Sequence, residues 1–294
     1  MPLRFDDIGN RLKAFRLGSG LSADEIAKRI GISRTALYRF EKGEVVKIDT
    51  LEKLAELLQV SLPTLLGVGV EYIASALTYF ERMRQIEETA EHIIVLAGPL
   101  SYLLASDAFN AVLGQILKES ISERLEDRMR AEAEIEEIMA VLRSRKEAYR
   151  RRQPAIVNLI AASEITRFLI NGMVGRLDLP ETVRRERRAL ARAEVEYFAQ
   201  LMEAEPIGVQ IGIVPETLPH TGFQIFRQPD RQLLSLSPFR LGEEPNVRVG
   251  VAMITSAPEA LALHQKAAEG MWARALKGAS AAEYLRGLIA RHRE

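Results

Sequence analysis

The 294-residue sequence contains no cysteine. That excludes disulfides, thiolate nucleophiles and zinc sites with sulfur ligands, and it fits a reducing, cytoplasmic compartment. Histidine is scarce too: His92, His220, His264 and His292 lie far apart, none with a second ligand at metal spacing, so neither a metal site nor imidazole catalysis is expected. An excess of one charge is also missing, with 40 basic residues against 40 acidic ones, so anion binding must come from a local cluster. No apolar run is long enough to span a membrane. The most hydrophobic stretch, HIIVLAGPLSYLLAS, is short and broken at Gly98-Pro99, and reads as buried core. MPLRFDDIGN carries no run of signal-peptide type. Phosphate-cradling loops are lacking, because GVGV and GVQIG have no Lys and Ser/Thr at the required spacing. Ser235, Ser237 and Ser256 lie in a strand-rich region, but Lys266 and Lys277 fall in segments read as helical, with nothing to depress their pKa for a Ser-Lys pair. Neither an enzyme nor a cofactor is expected.

The chain is long enough for two or three folding units. Residues 6 to 68 read as five short helices at about 6–17, 23–30, 34–42, 49–59 and 62–66. Ser22, Ser33 and Asp49 or Thr50 stand before three of them, and Gly31 and Gly43 follow two. LGVGV marks a boundary, giving a first unit of residues 1–68. From about Glu71 to Arg152 helical periodicity dominates, in EYIASALTYFERMRQIEETAEHII, DAFNAVLGQILKES and SERLEDRMRAEAEIEEIMAVLRSRKEAYRRR, and residues 69–153 are read as a helical linker or dimerisation region. Their last helix opens with a capping box at Ser120 and Glu123. It carries an apolar stripe of Ile121, Leu125, Met129, Ile135, Ile138, Leu142 and Tyr149, which suits either packing within the chain or a dimer seam. Residues 154–294 read as an α+β effector or assembly unit with a small, mainly antiparallel sheet. Its expected helices are at about 155–171, 180–204, 258–276 and 280–291, and its strands lie in IGVQIGIVP, GFQIFR, QLLSLSPF and NVRVGVAMIT. The fold class is mainly α.

The most informative stretch is ADEIAKRIGISRTALYRFEKG, residues 23–43. Two short helices crossing steeply need a small residue at the crossing, a left-handed turn and a core plug after it; Ala27, Gly31 and Ile32 supply these. Ile26, Ile30, Leu37 and Phe40 form the shared apolar face. With Leu37 and Phe40 inward, Thr35, Tyr38, Arg39 and Lys42 point outward, and Arg34 sits at the helix start. The first turn of such a helix enters the major groove, where Arg binds guanine with two hydrogen bonds and a Thr methyl touches thymine. Arg34, Thr35 and Tyr38 are therefore the expected base-reading residues. Lys13, Ser33, Arg39 and Lys42 suit phosphates, which position without reporting sequence.

IGNRLKAFRLGSGLSADEIAKRIGISRTALYRFEKG resembles the Cro/CI-type helix-turn-helix of the XRE family. The resemblance covers residues 6–68 and implies a structural ion pair between Arg16 and Glu41. It also implies a Gln opening the second helix, where Ala23 stands instead, so one backbone contact of the family is lost here. The expected function is sequence-specific binding of double-stranded DNA as a transcriptional regulator, more a repressor than an activator. Eleven Lys and Arg against nine Asp and Glu in residues 1–68 give little local charge, so a homodimer or higher even oligomer on a palindromic operator is expected. VQIGIVPETLPHTGFQIFRQPDRQLLSLSPFRL resembles the sensor-type domains that follow such heads in some actinobacterial regulators. This implies a small-molecule or protein effector at the C-terminal domain, beside a pocket lined by Phe223, Phe226, Trp272 and the 155–171 helix. The alternative is a protein-interaction module, of antitoxin or phage-defence type, in which DNA binding is secondary.

Overall fold

A computed structural model describes residues 4–122, 125–215 and 222–292. The head comprises α1 (Phe5–Gly18), α2 (Ala23–Ile30), α3 (Arg34–Glu41), α4 (Ile48–Leu57) and α5 (Leu62–Leu66). Ser22, Ser33 and Ser61 each accept a hydrogen bond from the backbone N–H three residues on, and Ser22 with Glu25 closes a capping box. Gly31 ends α2 at φ 75°. A Cβ there would touch nothing within 4 Å, so the left-handed backbone alone selects glycine. Ile26, Ala27 and Leu37 are buried, and Ile30, Ile32 and Phe40 pack against them, as the crossing requires.

The rest of the chain forms β1 (Val70–Ile73), α6 (Ala76–Glu87), β2 (His92–Leu96), α7 (Asp107–Glu119), α8 (Arg128–Arg152), β3 (Ala155–Ala161), α9 (Ala162–Asn171), α10 (Glu181–Ala204), β4 (Val209–Val214), β5 (Phe223–Arg227), β6 (Gln232–Leu236), β7 (Ala252–Thr255), α11 (Pro258–Arg274), β8 (Leu276–Lys277) and α12 (Gly278–Arg291). The strands make one sheet in the order β1-β7-β6-β5-β2-β3-β4-β8. β2, β3 and β4 are parallel and the remaining pairings antiparallel. The mainly α class and the mainly antiparallel sheet stand, but the sheet of eight strands is not small. Two of its strands, β1 and β2, come from the 69–153 segment read as helical, and β3 opens the 155–171 stretch read as one helix. Alternation in β2 explains its place: Ile93 and Val95 join the larger core with α6, α9 and α10, while Ile94 and Leu96 face the other way, under α11.

The stripe on α8 packs within the chain. Ile135, Ile138 and Leu142 are buried in the main core, whereas Met129 is exposed and outside it. α8 opens at Asp127, whose side chain accepts from the Arg130 N–H. Ser120 instead ends α7, and Glu123, the other half of the expected capping box, lies outside the described residues. Lys277 sits in β8 rather than in a helix, with its ammonium 4.7 Å from the Trp272 ring centroid.

Head and body meet along α1 and α6. Gly18 approaches α6 so closely that a Cβ would lie 1.7 Å from the Thr78 hydroxyl oxygen. Glu71 of β1 is buried between two arginines: Arg11 Nε of α1 donates to it at 2.6 Å, and Arg82 of α6 donates through Nε at 3.0 Å and through a terminal nitrogen at 3.1 Å. Gln85 Nε2 reaches the Asn10 carbonyl at 3.0 Å, and Asp7 accepts from Arg231 at 2.9 Å.

Candidate DNA-binding face

α3 presents the expected row. Leu37 is fully buried beneath it, while Ser33, Arg34, Thr35, Arg39 and Lys42 are exposed and Tyr38 is half-exposed. Ser33 caps the helix by accepting from the Ala36 N–H at 3.1 Å, which fixes the first turn that carries Arg34 and Thr35. The Arg34 guanidinium lies 5.4 Å from the Tyr38 ring centroid, donates to the Tyr38 hydroxyl at 3.3 Å and pairs with Asp24 at 3.1 Å. Arg39 Nε pairs with Glu44 at 2.7 Å. Both ion pairs are solvent-exposed and cost little to exchange for another anion.

The Arg16–Glu41 pair forms as expected, through two parallel hydrogen bonds, the longer at 3.0 Å. Glu41 is buried, and its hydrogen bond raises the Arg16 pKa despite the desolvation of the guanidinium. The sequence did not disclose the next link, which joins this pair to the outer row. Arg16 also lies 5.7 Å from the Tyr38 ring centroid, so Tyr38 touches both Arg16 and Arg34. Cation–π contact of this kind limits the freedom of the ring. Lys13 is placed apart from this group: its ammonium sits 3.9 Å from Glu81 of α6, on the face of α1 that meets the body. Ala23 is buried at the start of α2, so its position faces the head core rather than solvent.

A cavity of about 710 Å³ opens at the carboxyl ends of β2 and β3. Phe223 and the first turns of α9 line it, as expected of a pocket in this region. Phe226 does not: it points to the opposite face of the sheet and is fully buried in the main core. Trp272 lines a second cavity of about 460 Å³ near β4. The larger cavity is also walled by Tyr79 and Phe80 of α6, the helix that holds α1 on its other side. The Tyr79 hydroxyl lies 3.1 Å from Ser235 Oγ and 3.3 Å from Gln224 Nε2.

Among the described residues no three His, Asp or Glu side chains converge as a metal-binding group, and no helix is long and apolar enough to cross a membrane. His92 begins β2, and burial together with Arg227 lowers its pKa. His264 packs its ring edge-on against Phe223 at 5.0 Å, His292 follows α12, and His220 lies outside the described residues. No curated protein matches the chain. Residues 12–65 match the Helix-turn-helix family model, spanning most of α1 through α5 and including the whole α2–α3 unit, and the head is therefore a DNA-binding helix-turn-helix of the XRE type, the kind that transcription regulators carry.

Proposed function

We propose that the chain is a homodimeric repressor that binds a palindromic operator through α3. Arg34, Thr35 and Tyr38 read bases, and Ser33, Arg39 and Lys42 grip phosphates. Lys13 reaches a phosphate flanking the groove once it leaves Glu81. The observation that carries this reading is the exposed row on α3 above a buried Leu37, with Arg34 in the first turn beside the tyrosine ring. Dimerisation is proposed because one head offers a small excess of positive charge, and two heads on half-sites sum their phosphate contacts. The body, in which residues 69–153 and 154–294 share one sheet, acts as the effector or assembly domain. Its route to DNA runs from the cavity wall on α6 to α1, and from α1 to α3 through Arg16 and Glu41.

The test compares two variants by selecting bound sequences from a randomised duplex pool. Arg34→Ala is expected to relax preference at one base position in each half-site, at a cost of about 1 to 3 kcal/mol. Lys42→Ala is expected to weaken all sequences alike and to make the dependence of affinity on salt shallower. Equal loss of preference in both variants would show the roles to be wrongly divided.

A further inference from the structure

We propose that the cavity at the carboxyl ends of β2 and β3 is the effector site and that it takes a small organic acid, a planar apolar body bearing one carboxylate. The inference deepens the effector-domain reading and rests on it for its regulatory consequence. In sheets built with parallel strands, ligands bind beyond the carboxyl ends of those strands, where loops diverge. Here β2 and β3 end side by side at the cavity, facing the start of β5 and the end of β6. A volume of about 710 Å³ suits a molecule of drug size.

The walls choose the chemistry. Phe80, Tyr102, Phe223 and Phe239 give flat apolar surface. The charged lining is three arginines and one glutamate. Two of the arginines are already neutralised: Arg145 by Glu87 at 2.6 and 2.9 Å, and Arg167 by Glu243 at 2.7 Å and by Glu164, the one lining carboxylate, at 2.8 Å. Arg240 is not. It is exposed, its Nε donates only to the Glu244 carbonyl at 3.2 Å, and it has no carboxylate partner among the described residues. Its planar fork matches a carboxylate. Two further observations point the same way. The first turn of α9 borders the cavity, its N-cap, Ala161, makes no side-chain cap to the free N–H groups there, and the one acid in that turn, Glu164, is paired with Arg167. The Tyr102 hydroxyl, buried in the lining, has no hydrogen-bond partner.

The full chain, without DNA, is titrated calorimetrically with benzoate and 2-naphthoate and with their neutral counterparts benzamide and 2-naphthamide. The expected result is binding of at least one carboxylate with a Kd below about 1 mM, at least about tenfold tighter than its own amide. Arg240→Gln, a change at an exposed side chain, should erase that preference, whereas Arg227→Gln, exposed on β5 away from the lining, should keep it. The proposal is overturned if neither carboxylate binds, if the amides bind as well, or if Arg240→Gln retains the preference. Operator binding is measured separately in the absence of acid. Acid binding without specific DNA binding would overturn the regulator reading and leave the site standing, and the reverse outcome would remove only the site.

Discussion

Glu71→Ala is expected to cost about 3 to 5 kcal/mol and to loosen the head from the body. The side chain is about 5 % exposed, and so are those of both arginines that clasp it. With the carboxylate gone, Arg11 and Arg82 face each other without the counter-charge they share inside the α1–α6 contact. Gln85 cannot substitute, because its amide oxygen accepts from Arg82 and its nitrogen holds the Asn10 carbonyl. Thermal unfolding and limited proteolysis of the Leu66–Ala76 connection read the effect. Arg11→Met added to Glu71→Ala should recover part of the loss, since one uncompensated charge is then removed. Burial pushes the Glu71 pKa up, but the charges and hydrogen bonds of Arg82 and Arg11 outweigh it and hold the group below the ordinary glutamate value. The pKa of Asp7 is likewise lowered, by Arg231, Arg11 and Arg4 against the opposing effect of burial. A carboxylate depressed in the folded state stabilises fully above its unfolded pKa and loses that contribution as pH falls through the folded value. Docking of the head should therefore weaken as pH falls below about 4, and the gap between wild type and Glu71→Gln should narrow there.

Glu41→Ala is expected to cost about 3 kcal/mol and also to blur base preference. Glu41 and Arg16 have side chains only 4 % and 12 % exposed, so removing the acid strands a guanidinium inside the head. The ionic and the aromatic roles of Arg16 can be separated. Arg16→Met with Glu41→Leu should restore most of the stability, as replacing a whole buried pair with apolar side chains often does. It should not restore preference at the bases read by Tyr38, whose ring loses the guanidinium beside it. Full recovery of both properties would show that Arg16 merely balances Glu41.

The head was legible because its signals are local. Ser22, Gly31 and Ser33 announce the ends of α2 and α3 within a few residues, and Leu37 and Phe40 fix which side faces out. The body was harder for reasons its own residues show. HIIVL carries a run of only four apolar residues, Ile93 to Leu96, a length that fits a buried strand or one side of a buried helix equally well. AIVNLIA passes from β3 straight into α9 with no glycine or proline between them, so the change of period leaves no mark. The α8 stripe reported that a partner was needed, but not that α6 and α7 supply it. Arg11, Glu71 and Arg82 belong together only after the head docks. A hint existed in Arg11, which occupies a position on the apolar stripe of Ile8, Leu12 and Phe15. Docking also decides the place of Lys13, whose spacing suits a phosphate as well as it suits Glu81.

The central claim is that α3 reads a base sequence. Retention of genomic DNA fragments by the full chain at physiological salt measures this most directly. The expected result is enrichment of a few fragments that share an inverted repeat, bound at least about a thousandfold more tightly than bulk DNA and lost in Arg34→Ala. Weak retention spread evenly over all fragments, unchanged by Arg34→Ala, would contradict it.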